Sequence, residues 1–328
     1  MRADAADWYA RRTSRAADWP LERLLALKGG ARISVVLPAL DEEDTVGAIA
    51  AAIRRELGSG AHPLVDDLVV LDSGSSDRTA EVARAAGARV VHRDEVLPGL
   101  PAVAGKGETM WRSLAATDGD LIVFIDADLL DFSASYVTGL VGPLLADPTV
   151  QLVKGLYDRP LASGQGVLPA GGGRVTELVA RPLLALHWPQ LAGVVQPLAG
   201  ETALRRGLAE RLPFPTGYGI ELALLVDTLA ADGLDAIAQV DLGVRHHRHQ
   251  DELALGRMAA EIWVTGLARL DREGRLPPGA VVAEPTLTQF VRGPGGFEPV
   301  EREIAALERP PMAEARARAL GDQRPPRR

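Results

Sequence analysis

The chain has 328 residues, of which 47% are hydrophobic and 24% charged, a composition typical of globular proteins. Its net charge of −8 argues against general binding of nucleic acids, which needs a basic surface. The sequence contains no cysteine, so disulfides and thiolate metal sites are excluded. No apolar run reaches the length of a membrane span, and the first residues lack the apolar core of a signal peptide, so we expect a cytoplasmic protein.

The first part of the chain alternates between apolar runs and amphipathic stretches. A helical segment over 1–30 ends at a glycine pair. The predicted strands and helices that follow are 32–40, 45–57, 66–72, 79–86 and 88–91. This alternation indicates a parallel sheet with right-handed crossovers. The glycine fingerprints of dinucleotide-binding folds and of phosphate-binding loops are absent, so a nucleotide would have to be held in another way.

Two aspartates one residue apart, Asp126 and Asp128, follow a buried apolar run over 121–125. A carboxylate at the end of a buried strand is rarely left unpaired, because removing it from water is costly. The most economical partner is Mg²⁺ or Mn²⁺ holding a diphosphate, since both ions prefer oxygen ligands. The motif alone leaves the alternative open, which is a polar strand end followed by a turn.

Two loops carry further candidates for anion binding. Lys106 lies between two glycines, before a predicted helix over 108–116, and is either a phosphate contact or a solvated charge. Three glycines, Arg174 and Thr176 lead into a predicted helix over 176–186, which we expect Pro182 to kink. Free N–H groups at the start of this helix, together with the Arg174 guanidinium, would make an anion site. The alternative is a flexible loop in which Thr176 caps the helix.

A cluster of basic residues follows a late predicted strand over 236–244. Strand alternation would put Arg245, His247 and His249 on one face, as a metal and phosphate site or as a solvated edge. Further predicted elements are the strand 149–157, a strand or turn over 196–203, and the helices 137–146, 220–232, 251–271 and 299–308. From residue 309 onward we expect a loosely ordered basic tail.

Three of these motifs together resemble the GT-A nucleotide-sugar glycosyltransferases: residues 35–43, 72–77 and 126–128. A narrower set resembles the retaining glucosyl- or mannosyl-3-phosphoglycerate synthases of actinobacteria: residues 101–114, 171–177, 217–221 and 243–247. The narrower resemblance covers about residues 20–270 and is specific, because these motifs are not general to the fold.

The resemblance implies an α/β fold of GT-A type, with a Rossmann-like, mostly parallel sheet and a C-terminal acceptor-binding region. It implies transfer of glucose, with retention, from UDP- or GDP-glucose to the 2-hydroxyl of 3-phosphoglycerate, with Mg²⁺ or Mn²⁺ as cofactor. Mannosyl transfer from GDP-mannose is the alternative, followed by an inverting transfer to a polyprenyl phosphate. A nucleotide-sugar-binding module without turnover is a third hypothesis. We expect a homodimer, and neither nucleic acid nor membrane as partner.

The resemblance also assigns roles to single residues and divides the chain into four regions. The expected regions are a helical segment (1–30), a donor-binding half (31–150), an acceptor-binding and metal-completing half (151–275) and an extension (276–328). The expected catalytic residues are Lys106, Asp128 and Glu221. The expected donor-binding residues are Pro38, Ala39, Leu40, Glu42, Ser73, Lys106, Asp126, Ala127, Tyr218 and Arg245. The expected acceptor-binding residues are Gly173, Arg174, Val175, Thr176 and His249, and the metal ligands are Asp128 and His247.

Overall fold

A computed structural model of the chain describes residues 1–158, 161–163, 166–168, 173–245, 251–277, 285–304 and 307–322. Its helices are α1 (Ala3–Arg12), α2 (Leu21–Lys28), α3 (Val46–Glu56), α4 (Thr79–Ala85), α5 (Lys106–Ala116), α6 (Ser135–Ala146), α7 (Arg181–His187), α8 (Arg206–Ala209), α9 (Ile220–Asp232), α10 (Glu252–Arg272) and α11 (Met312–Asp322). Its strands are β1 (Thr13–Arg15), β2 (Ile33–Ala39), β3 (Asp67–Asp72), β4 (Arg89–His92), β5 (Leu121–Phe124), β6 (Leu152–Asp158), β7 (Leu161–Ser163), β8 (Gly166–Leu168), β9 (Thr202–Arg205), β10 (Phe214–Pro215), β11 (Ile237–Val244), β12 (Thr286–Gly293), β13 (Gly296–Glu303) and β14 (Glu308–Arg309).

The central sheet has the strand order β1-β11-β6-β9-β5-β2-β3-β4. All neighbours run parallel except β9, which is antiparallel to both β5 and β6. The mostly parallel α/β sheet expected from the sequence is therefore confirmed. Because β2 leads outward to β3 and β4 while β5 pairs on its other side, the strand order reverses between β2 and β5. Open α/β sheets bind ligands outside the carboxyl ends of the strands at such a point.

Helices cover both faces of the sheet, which explains why its central strands are continuous apolar runs. On β2, Val35 and Leu37 belong to one core cluster, whereas Val36 belongs to the other. Ile49 of α3 lies in the first cluster and Trp111 of α5 in the second. The helices thus cover the faces of the sheet and leave its strand ends open to ligands.

The N-terminal segment is partly a strand, which the sequence did not reveal. Thr13–Arg15 pairs parallel with Gln239–Asp241 and extends the sheet by one edge strand. The three residues sit between two short helices, and a strand of this length has no readable alternation.

The predicted helix over 299–308 is wrong. Gly296–Glu303 is a strand that pairs antiparallel with Thr286–Gly293 across a Pro-Gly turn. The tail predicted to be loosely ordered from 309 contains α11, which begins at the buried Met312. Among the described residues, no helix combines the length and apolar character needed to cross a membrane.

The helix predicted over 176–186 begins as a π-helical turn, Thr176–Ala180, and continues as α7. Pro182 lies in the first turn of α7, directly after the π-helical turn, and lacks the N–H that would bond back to that turn. The expected interruption is therefore a change of helix type next to the proline.

Candidate active site

Lys106 joins two carboxylates at the carboxyl end of β5. Its Nζ lies 2.6 Å from Asp126 Oδ1, to which it donates a hydrogen bond, and 2.8 Å from Glu221 Oε1. Burial alone would lower the pKa of Lys106, but Asp126 and Glu221 together raise it well above its usual range. Lys106 is therefore a held positive charge, and the alternative of a solvated loop lysine is excluded.

Arg245 bridges the two aspartates of the acidic pair. Its Nη2 lies 3.0 Å from Asp126 Oδ2 and 3.0 Å from Asp128 Oδ1. Its Nη1 donates to the Tyr157 hydroxyl at 2.8 Å and lies 3.2 Å from Glu201 Oε1. Burial would raise the pKa of Asp126, but the Lys106 ammonium and the Arg245 guanidinium together hold this pKa well below its usual range. Asp126 is therefore ionised, and the cations that contact the two aspartates in the structure are the side chains of Lys106 and Arg245.

The glycines on either side of Lys106 make room for protein backbone. A Cβ at Gly107 would lie 1.8 Å from the carbonyl oxygen of Pro215, and one at Gly105 would lie 2.2 Å from that of Thr216. Gly105 also has a φ of +133°, which other residues rarely adopt. The first turn of α5 can therefore lie directly against residues 214–217, and no phosphate is needed to explain the glycines.

The expected base and ribose contacts gather at the end of β2. Ala39 is buried, and its carbonyl accepts a hydrogen bond from the Ser73 N–H at 2.9 Å. Leu40 is 55% exposed, so its side chain is available to a ligand. The Ser73 hydroxyl lies 2.8 Å from the Thr109 hydroxyl of α5. Pro38 is the last residue but one of the strand and is only partly covered.

Thr45 ties this strand end to the acidic pair. Its hydroxyl donates to the Ala127 carbonyl at 2.6 Å and lies 3.3 Å from Glu42 Oε2. Glu42 is further placed by its own N–H, which donates to the Thr79 hydroxyl at 2.8 Å. The predicted donor residues of β2 and of the Asp126–Asp128 motif thus form one continuous wall.

Tyr218 and Glu221 come from the start of α9. Glu221 lies in its first turn with 6% of its side chain exposed. The Tyr218 N–H donates to Glu261 Oε2 of α10 at 2.7 Å. Burial raises the pKa of Tyr218, so its hydroxyl stays protonated and can donate a hydrogen bond.

The acceptor candidates form a second group next to α10. Gly173 has a φ of +86°, and the buried Thr176 begins the π-helical turn, with Val175 packed in the core before it. Arg174 Nη1 lies 3.8 Å from Glu252 Oε1, and 47% of the Arg174 side chain is exposed. An exposed pair at this distance is weak, so the guanidinium can still take a ligand anion. His247 and His249 lie outside the described residues.

Comparisons with known proteins show the family of this chain. The family model described as "Glycosyl transferase family 2" matches residues 34–163. The glucosyl-3-phosphoglycerate synthase of Mycolicibacterium paratuberculosis is 49% identical over 317 residues, which cover 95% of this chain and 93% of that protein. The chain belongs to the glucosyl-3-phosphoglycerate synthase family.

Crystal structures of this family share the fold. The Mycobacterium tuberculosis glucosyl-3-phosphoglycerate synthase in complex with Mn²⁺, UDP-glucose and phosphoglyceric acid matches with a TM-score of 0.80 and 46% identity, covering 90% of this chain and 95% of that one. The same synthase in complex with Mn²⁺, UDP and glucosyl-3-phosphoglycerate matches with a TM-score of 0.79 and 45% identity. That match covers 90% of this chain and 96% of the synthase chain. The GT-A-type architecture expected for this chain is confirmed.

The acidic pair has the chemistry that a divalent ion requires. Asp128 contributes an oxygen donor with 34% of its side chain exposed, and Asp126 stands beside it with 18% exposed. Within the described ranges, no group of three or more histidine or acidic side chains is arranged to hold a metal. The second predicted ligand of the glucosyl-3-phosphoglycerate synthase site, His247, falls outside those ranges. Of the described residues, the partly exposed carboxylate of Asp128 is the one whose chemistry fits a ligand of Mg²⁺ or Mn²⁺.

Two buried charged residues behind the site were missed by sequence reasoning. Glu201 is fully buried next to β9 and contacts Arg245, as described above. Lys154 is fully buried on β6 and donates hydrogen bonds to the Ala199 carbonyl and, at 2.8 Å, to the Thr202 hydroxyl. A charge within an apolar stretch was the available signal, since such residues are rarely buried without a partner.

Proposed function

We propose that this chain transfers glucose from UDP-glucose to the 2-hydroxyl of 3-phosphoglycerate, with retention of configuration, and so makes glucosyl-3-phosphoglycerate. The observation that carries the proposal is the charge cluster of Lys106, Asp126, Asp128, Glu221 and Arg245 at the switch point of the sheet. Family membership supports the choice of substrates. A module without turnover would not need so many buried charges held against one another.

Each residue of the cluster has a role that follows from its contacts. Lys106 stays protonated and supplies a fixed positive charge beside Asp126, where the donor diphosphate would lie. Asp126 is held between two cations and accepts hydrogen bonds only, so it suits a ribose or sugar hydroxyl. Asp128 would hold the divalent ion. When bound, that ion neutralises the charge that builds up on the leaving diphosphate.

The transfer requires one bond to break and one to form on the same face of the sugar. The bond between the anomeric carbon and the diphosphate oxygen breaks, and the acceptor 2-hydroxyl oxygen bonds to that carbon. The hydroxyl proton passes to the leaving diphosphate oxygen, so UDP leaves and no protein nucleophile is needed. Glu221 is already bonded to Lys106 and therefore serves to orient rather than to attack. Positioning and electrostatic stabilisation then supply most of the rate.

The acceptor would be held by the Gly173–Thr176 segment. The exposed guanidinium of Arg174 suits a bidentate contact with the phosphate of 3-phosphoglycerate. The backbone N–H groups at the start of the π-helical turn, near Val175 and Thr176, add donors for the same anion. His249 is proposed as a further acceptor contact and His247 as the second metal ligand.

A panel of donors tests the proposal. The purified chain is incubated with Mn²⁺, 3-phosphoglycerate and either UDP-glucose, GDP-glucose or GDP-mannose, and nucleoside diphosphate release and product mass are measured. We expect the fastest release with UDP-glucose, and only when 3-phosphoglycerate is present. Faster turnover with GDP-mannose would favour the mannosyl alternative, and no release with any donor would contradict the activity.

We also propose that the chain forms a homodimer through the hairpin β12–β13. Phe290 and Phe297 of this hairpin are 62% and 66% exposed. The Gln289 amide of this hairpin donates to the Leu253 carbonyl of α10 at 3.3 Å, so the hairpin is held on the protein while its two aromatic side chains form an exposed association surface. Sedimentation of the wild type and of the double variant Phe290→Asp, Phe297→Asp tests this proposal. We expect the wild type to be a dimer and the double variant to be a monomer. A monomeric wild type would contradict the proposal.

The cytoplasm is the proposed place of the reaction. Both substrates are multiply charged phosphate esters, and such ions do not cross a bilayer unaided because of the cost of desolvating them. The enzyme then has to work in the compartment where these substrates are made. Fractionation of cells that produce the chain would test this proposal.

A further inference from the structure

The chain returns from the hairpin β12–β13 to the core through residues 307–312, which we call the C-terminal clasp. Its strand β14 pairs antiparallel with β10, with Phe214 opposite Arg309 and Pro215 opposite Glu308. Both the N–H and the hydroxyl of Thr216 donate to the Leu307 carbonyl, at 3.0 and 3.1 Å. The clasp therefore lies along the segment that leads into Tyr218 and Glu221.

One charged residue of the clasp reaches the first turn of α5. Arg309 Nε lies 2.6 Å from Glu108 Oε2, and its Nη2 lies 2.9 Å from Glu108 Oε1, so the pair is bidentate. Nη2 also donates to the Pro101 carbonyl at 2.6 Å, in the loop before α5. Glu108 is fully buried and Arg309 is 8% exposed. Glu108 stands only two residues after Lys106.

Two further residues of α5, Trp111 and Arg112, strengthen the contact between Arg309 and Glu108. Trp111 Nε1 donates to the Pro310 carbonyl at 2.8 Å, and the Arg309 guanidinium lies 5.5 Å from the centre of the Trp111 ring. Arg112 Nε donates to Glu108 Oε1 at 2.7 Å, so this carboxylate is shared by two arginines. The N-terminal turn of α5 is thus held by a fully hydrogen-bonded charged network.

The second charged residue of the clasp, Glu308, is linked through α10 to α9, the helix that carries Glu221. Glu308 Oε2 lies 2.6 Å from Arg269 Nη1 of α10. Arg269 in turn makes a buried pair with Asp227 of α9, with Nη2 donating to Oδ2 at 2.8 Å. The clasp therefore contacts α5 through Arg309 and α9 through Glu308 and Arg269.

The helices α5 and α9, which the clasp links, carry the two partners of the ion pair between Lys106 and Glu221. Lys106 belongs to α5 and Glu221 to α9, and their charged atoms lie 2.8 Å apart. The elements have no covalent link nearby, so their separation depends on what packs between them. The N–H of Glu108 also donates to the Thr216 carbonyl at 3.0 Å, which joins α5 to the segment that the clasp covers.

We propose that Arg309 is a positioning residue for transfer: through Glu108 it sets where the Lys106 ammonium lies relative to Asp126 and Glu221. The proposal rests on the proposed function for its kinetic consequence. It assigns a role to the C-terminal extension that its sequence does not suggest.

The test compares Arg309→Met with Arg206→Met as a matched control. Arg206 holds the opposite end of α5: its Nε donates to the Gly119 carbonyl at 2.6 Å and its Nη1 to the Leu114 carbonyl at 2.9 Å. Its side chain is 16% exposed, so it is also mostly covered. Both variants are assayed for glucosyl transfer at a temperature at which circular dichroism shows them folded.

We expect Arg309→Met to lower kcat about 10- to 100-fold, because displacing a reacting group by 1 Å has effects of that size. The KM values should stay within about threefold, since the described contacts of Arg309 are all internal to the protein. Arg206→Met should leave kcat within about twofold, although it lowers stability. Equal losses in the two variants would indicate a general stability effect and would overturn the proposal.

A second readout is independent of turnover. The chain has three lysines, Lys28, Lys106 and Lys154, so acetylation by an N-hydroxysuccinimide ester can be followed residue by residue by mass spectrometry. In Arg309→Met we expect Lys106 to react several-fold faster, because its contacts with Asp126 and Glu221 loosen. Lys28, which lies 2.8 Å from Asp66, serves as the internal reference.

The two readouts separate the possible failures. A wild type without glucosyl transfer would contradict the proposed function, while the acetylation rates still test positioning. A folded Arg309→Met with unchanged kcat and unchanged Lys106 reactivity would overturn the inference. If Arg309→Met does not fold, Arg309→Lys replaces it. This variant keeps the charge but loses the two-pronged contact, and we expect a kcat loss of about three- to tenfold, with no loss as the contradicting result.

Discussion

The buried lysine behind the site, Lys154, makes the protein's stability depend on pH in a way that can be calculated. Burial lowers the pKa of Lys154 from 10.5 to about 8, against the attraction of nearby carboxylates such as Glu221 and Glu201. Its hydrogen-bond partners are the Ala199 carbonyl and the Thr202 hydroxyl, neither of which carries a charge.

The sign of the effect follows from proton binding. Below pH 8 both the folded and the unfolded chain carry the Lys154 proton, so the penalty for burying the charge is fully present. Between pH 8 and 10.5 the folded chain has released this proton while the unfolded chain still binds it, so stability rises with pH. From about pH 7.5 to about pH 9.5 the gain is about 2 kcal/mol, because one unit of pKa corresponds to about 1.4 kcal/mol.

The variant Lys154→Met isolates this gain, because methionine has a similar length and no charge. The free energy of unfolding of the wild type and of Lys154→Met is measured in urea at about pH 7.5 and about pH 9.5. The change between the two pH values is then compared between the two proteins. Contributions from titrating groups that do not interact with Lys154 cancel in this double difference. We expect the wild type to gain about 2 kcal/mol relative to Lys154→Met. A double difference below about 0.5 kcal/mol would refute the reasoning, since Lys154 would then keep its charge over this pH range.

Three further predictions concern the site. Asp128→Asn should weaken Mn²⁺ binding by at least about 100-fold in a calorimetric titration without substrates, because the proposed oxygen ligand loses its charge; unchanged binding would exclude Asp128 as a ligand. Lys106→Met should lower kcat at least about 100-fold, because the fixed charge facing the diphosphate is lost; a kcat within about threefold of the wild type would contradict its role. Arg174→Met should raise the KM for 3-phosphoglycerate about 30-fold and leave that for UDP-glucose unchanged, as expected for one charged hydrogen-bonding group. Arg181→Met, at a half-buried arginine that pairs with Glu177, is its control, and an equal rise there would contradict the acceptor assignment.

Much of the fold follows from local patterns. The strands β2, β3 and β5 are continuous apolar runs because helices cover both of their faces, and such runs are readable from sequence. The hairpin β12–β13 was missed because its proline and glycines suggested irregular chain. Exposed and partly buried residues alternate along β12 in the structure, but the residue types of Thr286–Gly293 do not alternate between polar and apolar, so the sequence carries little strand signal.

The site likewise contains some features that local sequence patterns predict and others that they do not. That Asp126 and Asp128 lie next to positive charge could be expected from the sequence, because two acids at a buried strand end need a cation. The partners of Lys154 and Glu201 were not, because β9 inserts antiparallel between β5 and β6, and sheet order is a non-local property. The contact of Arg309 with Glu108 spans 201 residues of sequence, and a lone arginine in a proline-rich segment gives no sign of it.

The configuration of the product tests the central claim most directly. The chain is incubated with Mn²⁺, UDP-glucose and 3-phosphoglycerate, and the product is examined by NMR for the anomeric configuration of the glucose and the position of its attachment. The account predicts an α-linked glucose, as in the donor, on the 2-hydroxyl of 3-phosphoglycerate. A β-linked product, or UDP release without any glucosylated phosphoglycerate, would contradict it.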